Sequence, residues 1–423
     1  MKIYSTAELH TIFLKSDGVN IDTRKLKDNE IFFAIKGPNF DGHNFVKKAL
    51  EGGASYVVVE NPEFLLSDQC LLVKDVEKAL QNLAKYHRLT LTFPIIGLTG
   101  SNGKTTTKEL INSVLSQKYN TIATEGNLNN HLGVPLSILK ITKEHEIAII
   151  EMGANHLGEI AFLSAIAMPD IGLITNIGKA HLEGFGSIDG VRKGKTELYE
   201  YLKSTNGIIF YNPQDENLEI SLPKNIKSIK YVDKIIETKA FPTISFIYNE
   251  NEIHANLYGN YNLLNIRAAI TLGEYFGLEQ NQIKKGIEDY NPENNRSQFL
   301  DSESNTLILD AYNANPSSMV LSVENLASQD IQGKCLILGH MLELGEVSKS
   351  EHENLIQLID QSKWDFVMLI GSEFEDITIP KYFHHFTTTN EAKSYLENVK
   401  LKDKFILLKG SRGAKLEQLI PAL

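Results

Sequence analysis

The run I-I-G-L-T-G-S-N-G-K-T-T-T-K-E-L, residues 95–110, joins an apolar stretch to a helix-forming one through a glycine-rich turn. Glycine at Gly100 and Gly103 lets backbone N–H groups face inward as an anion nest, and a helix starting there adds its partial positive end. Lys104 then reaches the β- and γ-phosphates of a nucleotide, and the Thr105 hydroxyl is placed for Mg²⁺. Ser101, Asn102 and Thr106 complete the segment expected to hold ATP. The long form of the phosphate loop has glycine five residues before Gly103. Leu98 stands there, so only the shorter G-x-x-G-K-T core is present. The competing reading is a glycine-rich turn that happens to precede a lysine; the strand before, the helix after and the threonine run weigh against it. The loop does not name the acceptor, because kinases, GTPases and ligases share it.

Other candidates lie downstream. The apolar run Ile147–Ile150 ends in Glu151-Met152-Gly153. A carboxylate that closes a strand of a parallel sheet faces the crevice where ligands bind, and there Glu151 could hold Mg²⁺. Taken alone, it reads equally well as a solvated strand-end residue. The segment T-N-I-G-K-A-H, residues 175–181, puts Asn176 and His181 at the same rim. A lone histidine is more often structural, so His181 gains weight only from its place beside Glu151. Lys195, in R-K-G-K-T-E-L, reads from spacing as a solvated lysine beside Arg192 and Lys193. Near magnesium its ammonium would be repelled. A carbamate formed with CO₂ would give it an anionic end and remove that conflict.

These residues need a scaffold, and the chain alternates strands with helices. Strands are expected at Ile31–Ile35, Ser55–Val59, Ile95–Thr99, Ile147–Glu151, Ile171–Asn176 and Ile208–Tyr211, with helices at Phe45–Glu51, Val76–Leu89, Thr105–Leu115 and Asn262–Phe276. This βαβα rhythm implies an α/β fold with a parallel sheet covered on both faces. Further apolar strands at Thr306–Leu309, Cys335–Leu338, Phe366–Ile370 and Phe405–Leu408 suggest a second, smaller α/β domain. The segment Asn217–Glu252 is hardest to read and is assigned to strands at the sheet edge. Boundaries fall near residue 92 and in the polar stretch N-P-E-N-N-R, residues 291–296, giving domains 1–92, 93–296 and 297–423.

At 423 residues the chain exceeds one ordinary core. Its 42% hydrophobic and 22% charged content is that of a globular protein, and a net charge of −11 argues against a broad nucleic-acid surface. A nucleotide is still admissible where fixed donors and a metal gather in one cleft. Only Cys70 and Cys335 are present, which supplies neither a disulfide framework nor zinc spacing and suits a reducing compartment. The N-terminus lacks a basic region followed by an apolar one, and no run is long enough to cross a bilayer. The expectation is a cytoplasmic monomer without membrane insertion.

Several separate motifs together resemble the Mur ligase family, whose members add amino acids or dipeptides to the peptide stem of peptidoglycan precursors. I-D-T-R-K-L-K-D-N-E-I-F-F-A-I-K-G-P-N-F-D-G-H-N-F is similar to the family's UDP-binding domain, which places Thr23 and Arg24 near the uridine diphosphate. T-G-S-N-G-K-T-T matches its ATP loop, in which the early glycine is ordinarily missing. E-G-N-L-N-N-H-L-G-V-P resembles the segment that contacts the muramoyl part, carrying Asn129 and Asn130. By the same resemblance Glu151 and His181 would bind magnesium with Thr105, Lys195 matches a lysine that is carbamylated in several members, and Lys104, His181 and Lys195 would be the catalytic set. Asn265, in Y-G-N-Y-N-L-L-N-I-R-A-A, lies by the adenine, although Tyr261 departs from the usual histidine. Arg296 and Asp310 match nucleotide-binding positions at the hinge and in the C-terminal domain. Y-N-A-N-P-S-S-M and L-G-H-M-L-E-L-G-E point to the dipeptide-adding branch, with His340 replacing a usual aspartate. K-G-S-R at Lys409–Arg412 fits the family, while charge alone leaves Lys409 and Arg412 as either anion guides or solvated residues.

The resemblance implies three domains: a small α/β UDP-binding domain, a central phosphate-loop ATPase domain with a mainly parallel sheet, and a Rossmann-like C-terminal α/β domain. It implies that ATP and Mg²⁺ activate the carboxylate of UDP-N-acetylmuramoyl-tripeptide as an acyl phosphate, which the amine of D-alanyl-D-alanine attacks. Lys104 and magnesium would neutralise charge during transfer. The rivals are the ligase that adds the third stem residue, a folylpolyglutamate-synthase-like ligase, and a nucleotide switch without chemistry. Y-N-A-N-P argues against the first, the T-R-K segment against the second, and the joint presence of Glu151, His181 and Asp310 against the third.

Overall fold

The computed structural model describes residues 2–239, 241–293 and 295–423; residues 240 and 294, within two of the segments discussed above, lie outside the described set. The first unit is a four-stranded parallel sheet ordered Gly18–Asn20, Glu30–Phe33, Tyr56–Val59, Cys70–Leu72. Its strands are apolar on both faces. Ile31, Phe33, Val58 and Leu71 join one core, and Phe32, Val57, Val59 and Cys70 the other, as the two-residue period of a strand requires. Helices Thr6–Phe13 and Val76–Arg88 pack together on the first face.

Helix Val76–Arg88 also packs on helices Gly133–Leu139 and Glu159–Ala167, so the first sheet and the central one share a continuous core. The buried Arg88 sits at this seam. Its guanidinium donates to the carbonyls of Ala167, Met168 and Leu91 and to Asp170 Oδ2 at 2.8 Å.

The central sheet is six-stranded and wholly parallel, ordered Lys227–Lys230, Ile208–Tyr211, Ile171–Ile174, Ile95–Thr99, Ile147–Glu151, Thr121–Ala123. Every residue of Ile95–Thr99, Ile147–Glu151 and Ile171–Ile174 is buried, which is why these read as unbroken apolar runs. Helices Lys104–Leu115 and Leu263–Tyr275 pack against each other over one face. The expected strand to Asn176 ends at Ile174, and the freed residues 175–176 turn toward the phosphate loop. The segment assigned to edge strands divides. Lys227–Lys230 is the sheet edge, whereas Ile235–Lys239, Ile244–Tyr248 and Asn251–Ala255 form their own antiparallel sheet. Ile244, Phe246, Tyr248 and Ile253 supply a buried apolar face, so this hairpin packs as a separate layer.

The last unit is six-stranded, ordered Gln298–Asp301, Thr306–Asp310, Phe405–Lys409, Lys334–Gly339, Phe366–Ile370, His384–Phe386, parallel except for its first pair. Both cysteines are buried and unpaired. No helix among the described residues is long and apolar enough to cross a membrane.

Candidate active site

The turn after strand Ile95–Thr99 is shaped by two glycines. Gly100 has φ 146°, and a Cβ there would lie 2.0 Å from Thr175 Oγ1; Gly103 has φ 76°, and a Cβ would meet Asn265 Oδ1 at 2.7 Å. Only glycine satisfies both the backbone angle and the space. The helix beginning at Lys104 follows directly. Lys104 Nζ donates to the carbonyls of Gly100 at 2.8 Å and Ser101 at 3.2 Å, folding its ammonium over the loop. Desolvation lowers its pKa from the ordinary value, opposed by the negative charge of Glu151.

Glu151 closes its strand 1% exposed. Its Oε1 accepts from Asn129 Nδ2 at 2.8 Å, its backbone N–H donates to Thr124 Oγ1, and Oε2 is buried without a hydrogen bond. The buried Lys108 lies 4.0 Å from that oxygen but donates its hydrogen bond to the Thr124 carbonyl at 2.6 Å.

His181 stands at φ 52° at the start of a short helix, with Nδ1 turned to the carboxylate of Glu343. Glu343 belongs to the C-terminal unit, and its contact with His181, then Lys104, lowers its pKa. The solvated reading of Lys195 does not hold: it is fully buried, with Nζ donating to the Ala154 carbonyl at 2.9 Å and lying 5.1 Å from the centre of the Phe185 ring. Burial first, and the positive charge of Lys104 second, hold its pKa well below the ordinary lysine value.

The C-terminal unit closes the other side. Asp310, at the end of its strand, pairs with the buried Lys409, so that lysine is not a solvated residue. Arg296 stacks 3.7 Å above the Tyr312 ring, and Arg412 approaches the same ring at 5.3 Å. Asn265, buried beneath Gly103, accepts from Thr107 Oγ1 and donates to Asn262.

A cavity of about 1200 Å³ opens between these parts. Ser101, Asn102, Gly103, Lys104, Thr105, Thr106, Asn129, Asn130, Glu151, His181, Asn265, Arg296 and Asp310 all line it. Gly100 and Lys195 stand just behind the lining, through contacts to Lys104 and Ala154. Thr23 and Arg24 lie elsewhere, in the loop after Gly18–Asn20, where the exposed Arg24 pairs with Asp22 at 2.7 Å. Asn130 Oδ1 accepts from the N–H groups of Leu132 and Gly133, at the entry to helix Gly133–Leu139. Glu343, Asn315 and Tyr312 reach the cavity without having been singled out from sequence, and only the motifs that contain them gave a signal.

Three family models cover most of the chain: "Mur ligase family, catalytic domain" matches residues 15–88, "Mur ligase middle domain" 98–273 and "Mur ligase, glutamate ligase domain" 295–412. The UDP-N-acetylmuramoyl-tripeptide–D-alanyl-D-alanine ligase of Bacillus subtilis (strain 168) is 37% identical over 96% of this chain and 93% of its own length. The chain belongs to the Mur ligase family. Another Mur ligase relative, the enzyme of the same name from Escherichia coli (strain K12), is 34% identical over 98% of this chain and 95% of its own. Among solved structures, MurF from Acinetobacter baumannii superposes with a TM-score of 0.87 at 30% identity, covering 100% of this chain and 98% of that one. MurF ligase from Thermotoga maritima in complex with ADP gives 0.84 at 28% identity, covering 97% of each.

Proposed function

We propose that this Mur ligase joins D-alanyl-D-alanine to UDP-N-acetylmuramoyl-tripeptide, giving UDP-N-acetylmuramoyl-pentapeptide, ADP and phosphate in peptidoglycan synthesis. The observation that carries the reading is the single cavity in which the phosphate loop and Glu151 of one unit face Asp310 and Arg296 of another. The relatives named above, matched over nearly their whole length, bear the same activity in their names.

ATP is held by residues 100–106, with Asn265, Arg296 and Asp310 completing the site. A carboxylate is a poor acyl donor because its charge repels a nucleophile and oxide is a poor leaving group. Transfer of the γ-phosphoryl group yields an acyl phosphate. The neutral dipeptide amine then attacks its carbonyl, phosphate departs with the bonding pair, and the proton lost by the nitrogen passes to water. Lys104 is placed to follow the charge on the transferred group. The C-terminal unit excludes water from the acyl phosphate.

The donor set suits Mg²⁺. No three His, Cys, Asp or Glu side chains gather into a cluster among the described residues, and magnesium is usually held by one or two carboxylates with phosphate oxygens and water. Glu151 Oε2, buried without a hydrogen bond, is such a carboxylate oxygen, and Thr105, His181 and carbamylated Lys195 would complete the set. Bound there, magnesium neutralises charge on the phosphates. Burial favours the neutral Lys195 amine, which can add to CO₂ with loss of a proton to give the carbamate.

Thr23 and Arg24 follow a strand at the carboxyl edge of a parallel sheet, the edge where ligands bind, which supports their reading as UDP contacts. Asn129 and Asn130 are assigned to the muramoyl part. The domains are taken as 1–92, 93–296 and 297–423, each sheet falling within one of them. The enzyme is read as a cytoplasmic monomer. Incubation with ATP and the UDP-muramoyl-tripeptide tests the function: phosphate release must require D-alanyl-D-alanine, and the product mass must rise by that dipeptide less one water. Release driven by a free amino acid or glutamate instead would sink the reading.

A further inference from the structure

Among its contacts with the central unit, the C-terminal unit reaches two loops beside the phosphate site. Asn315 Nδ2 donates to Asn102 Oδ1 at 2.7 Å, in the phosphate loop. Two residues on, Ser317 Oγ accepts from the Lys179 N–H at 2.8 Å, while Glu351 holds the Lys179 ammonium at 2.7 Å, both in the loop that carries His181. One helix start therefore touches both the phosphate loop and its neighbour.

The backbone of Asn102 is already tied down within its own unit. Its N–H donates to Asn176 Oδ1 at 3.1 Å, and its carbonyl accepts from Thr175 Oγ1 at 2.6 Å and Asn176 Nδ2 at 3.0 Å. Its side chain differs: among the described residues its one hydrogen bond goes to Asn315. Asn315 is itself rigid. It is 7% exposed, its Oδ1 caps helix Pro316–Ala327 by accepting from the Ser318 N–H at 2.9 Å, and Pro316 presets the first helical turn. With Oδ1 committed to the cap, Nδ2 is aimed at the phosphate loop.

We infer that Asn315 is a positioning residue through which docking of the C-terminal domain orders Asn102, and with it the phosphate loop, for phosphoryl transfer. The inference rests on the reading of residues 100–106 as the ATP site. The contact exists only when the two domains are docked. Asn315 acts on the phosphate loop only through Asn102, so its loss is expected to fall on kcat and not on KM for ATP.

Asn315→Ser retains a capping oxygen but is too short to reach Asn102, and Asn102→Ala removes the acceptor. Each is expected to lower kcat for linked ADP and amide formation by roughly three- to tenfold, the worth of one neutral hydrogen bond. For Asn315→Ser, KM for ATP and the thermal midpoint stay at the parent values. The double variant is no slower than the slower single, because both remove the same contact. A parent kcat in Asn315→Ser overturns the inference, as do losses that multiply in the double variant. A lowered midpoint with parent kcat, measured where the variant is folded, assigns Asn315 to capping alone and also overturns it. Lys104→Ala separates this from the underlying reading. If ATP turnover survives that change, the ATP site is misassigned; if it is abolished while Asn315→Ser is normal, only the present inference falls.

Discussion

Asn129 donates from Nδ2 to Oε1 of Glu151 at 2.8 Å, so one carboxylate oxygen is committed and the other remains buried without a hydrogen bond. Orientation of a metal-binding carboxylate by such a partner typically contributes 10- to 100-fold in metal affinity. Asn129→Ala should therefore raise the Mg²⁺ concentration needed for half-maximal rate by about tenfold. A magnesium titration at saturating ATP checks this, and an unchanged half-point would remove Asn129 from that role.

Lys195 is predicted to carry CO₂. Its amine is buried and held well below the ordinary lysine pKa, the state that reacts with CO₂. Enzyme equilibrated with ¹³C-bicarbonate should show a carbamate carbon resonance that is missing from Lys195→Met, and that variant should lose activity by roughly 10²-fold or more. A spectrum identical for the two proteins would rule the modification out.

Two buried histidines make stability depend on pH. His10 and His87 lie 3.2 Å apart, and His87 Nε2 bonds to the Ile141 carbonyl at 2.8 Å. Burial lowers both pKa values from 6.5, aided at His10 by the charge of His87. From about pH 7.5 upward neither the folded nor the unfolded imidazoles hold an appreciable fraction of a proton, so nothing changes there. Below it the unfolded chain takes up protons that the folded chain does not, and stability falls. Urea denaturation should show a loss between pH 7.5 and 5.5 that is flattened in a His10→Leu, His87→Gln double variant.

Arg88 should matter to stability more than to chemistry. Removing its buried guanidinium leaves the carbonyls of Ala167, Met168 and Leu91 without that donor. Arg88→Met should cost about 3 kcal/mol of unfolding free energy, with Asp170 contributing little because it is half exposed. Chemical denaturation at neutral pH reads the difference directly, and a loss under about 0.5 kcal/mol would contradict the role.

The phosphate loop was legible in the chain because its chemistry is local. Backbone donors, a lysine and a hydroxyl lie within seven consecutive residues, 100–106, and need only a strand before and a helix after. Parallel strands were legible because burial on both faces writes an unbroken apolar run. Helix Thr6–Phe13 was passed over although its signature is present: Ser5 and Glu8 form a capping box. The layer at 235–255 was misplaced because a strand's own residues do not say which sheet it joins.

By itself, then, the order of residues determined which segments become strand or helix in the cores and where a nucleotide's phosphates can bind. It did not determine that Lys195 is buried, that Lys409 is consumed by Asp310, or that Asn315 reaches Asn102 across 213 positions. Those outcomes depend on how separate hydrophobic cores pack together. Packing decides which polar groups lose water, and a group that has lost water must find its partner wherever the fold has brought one.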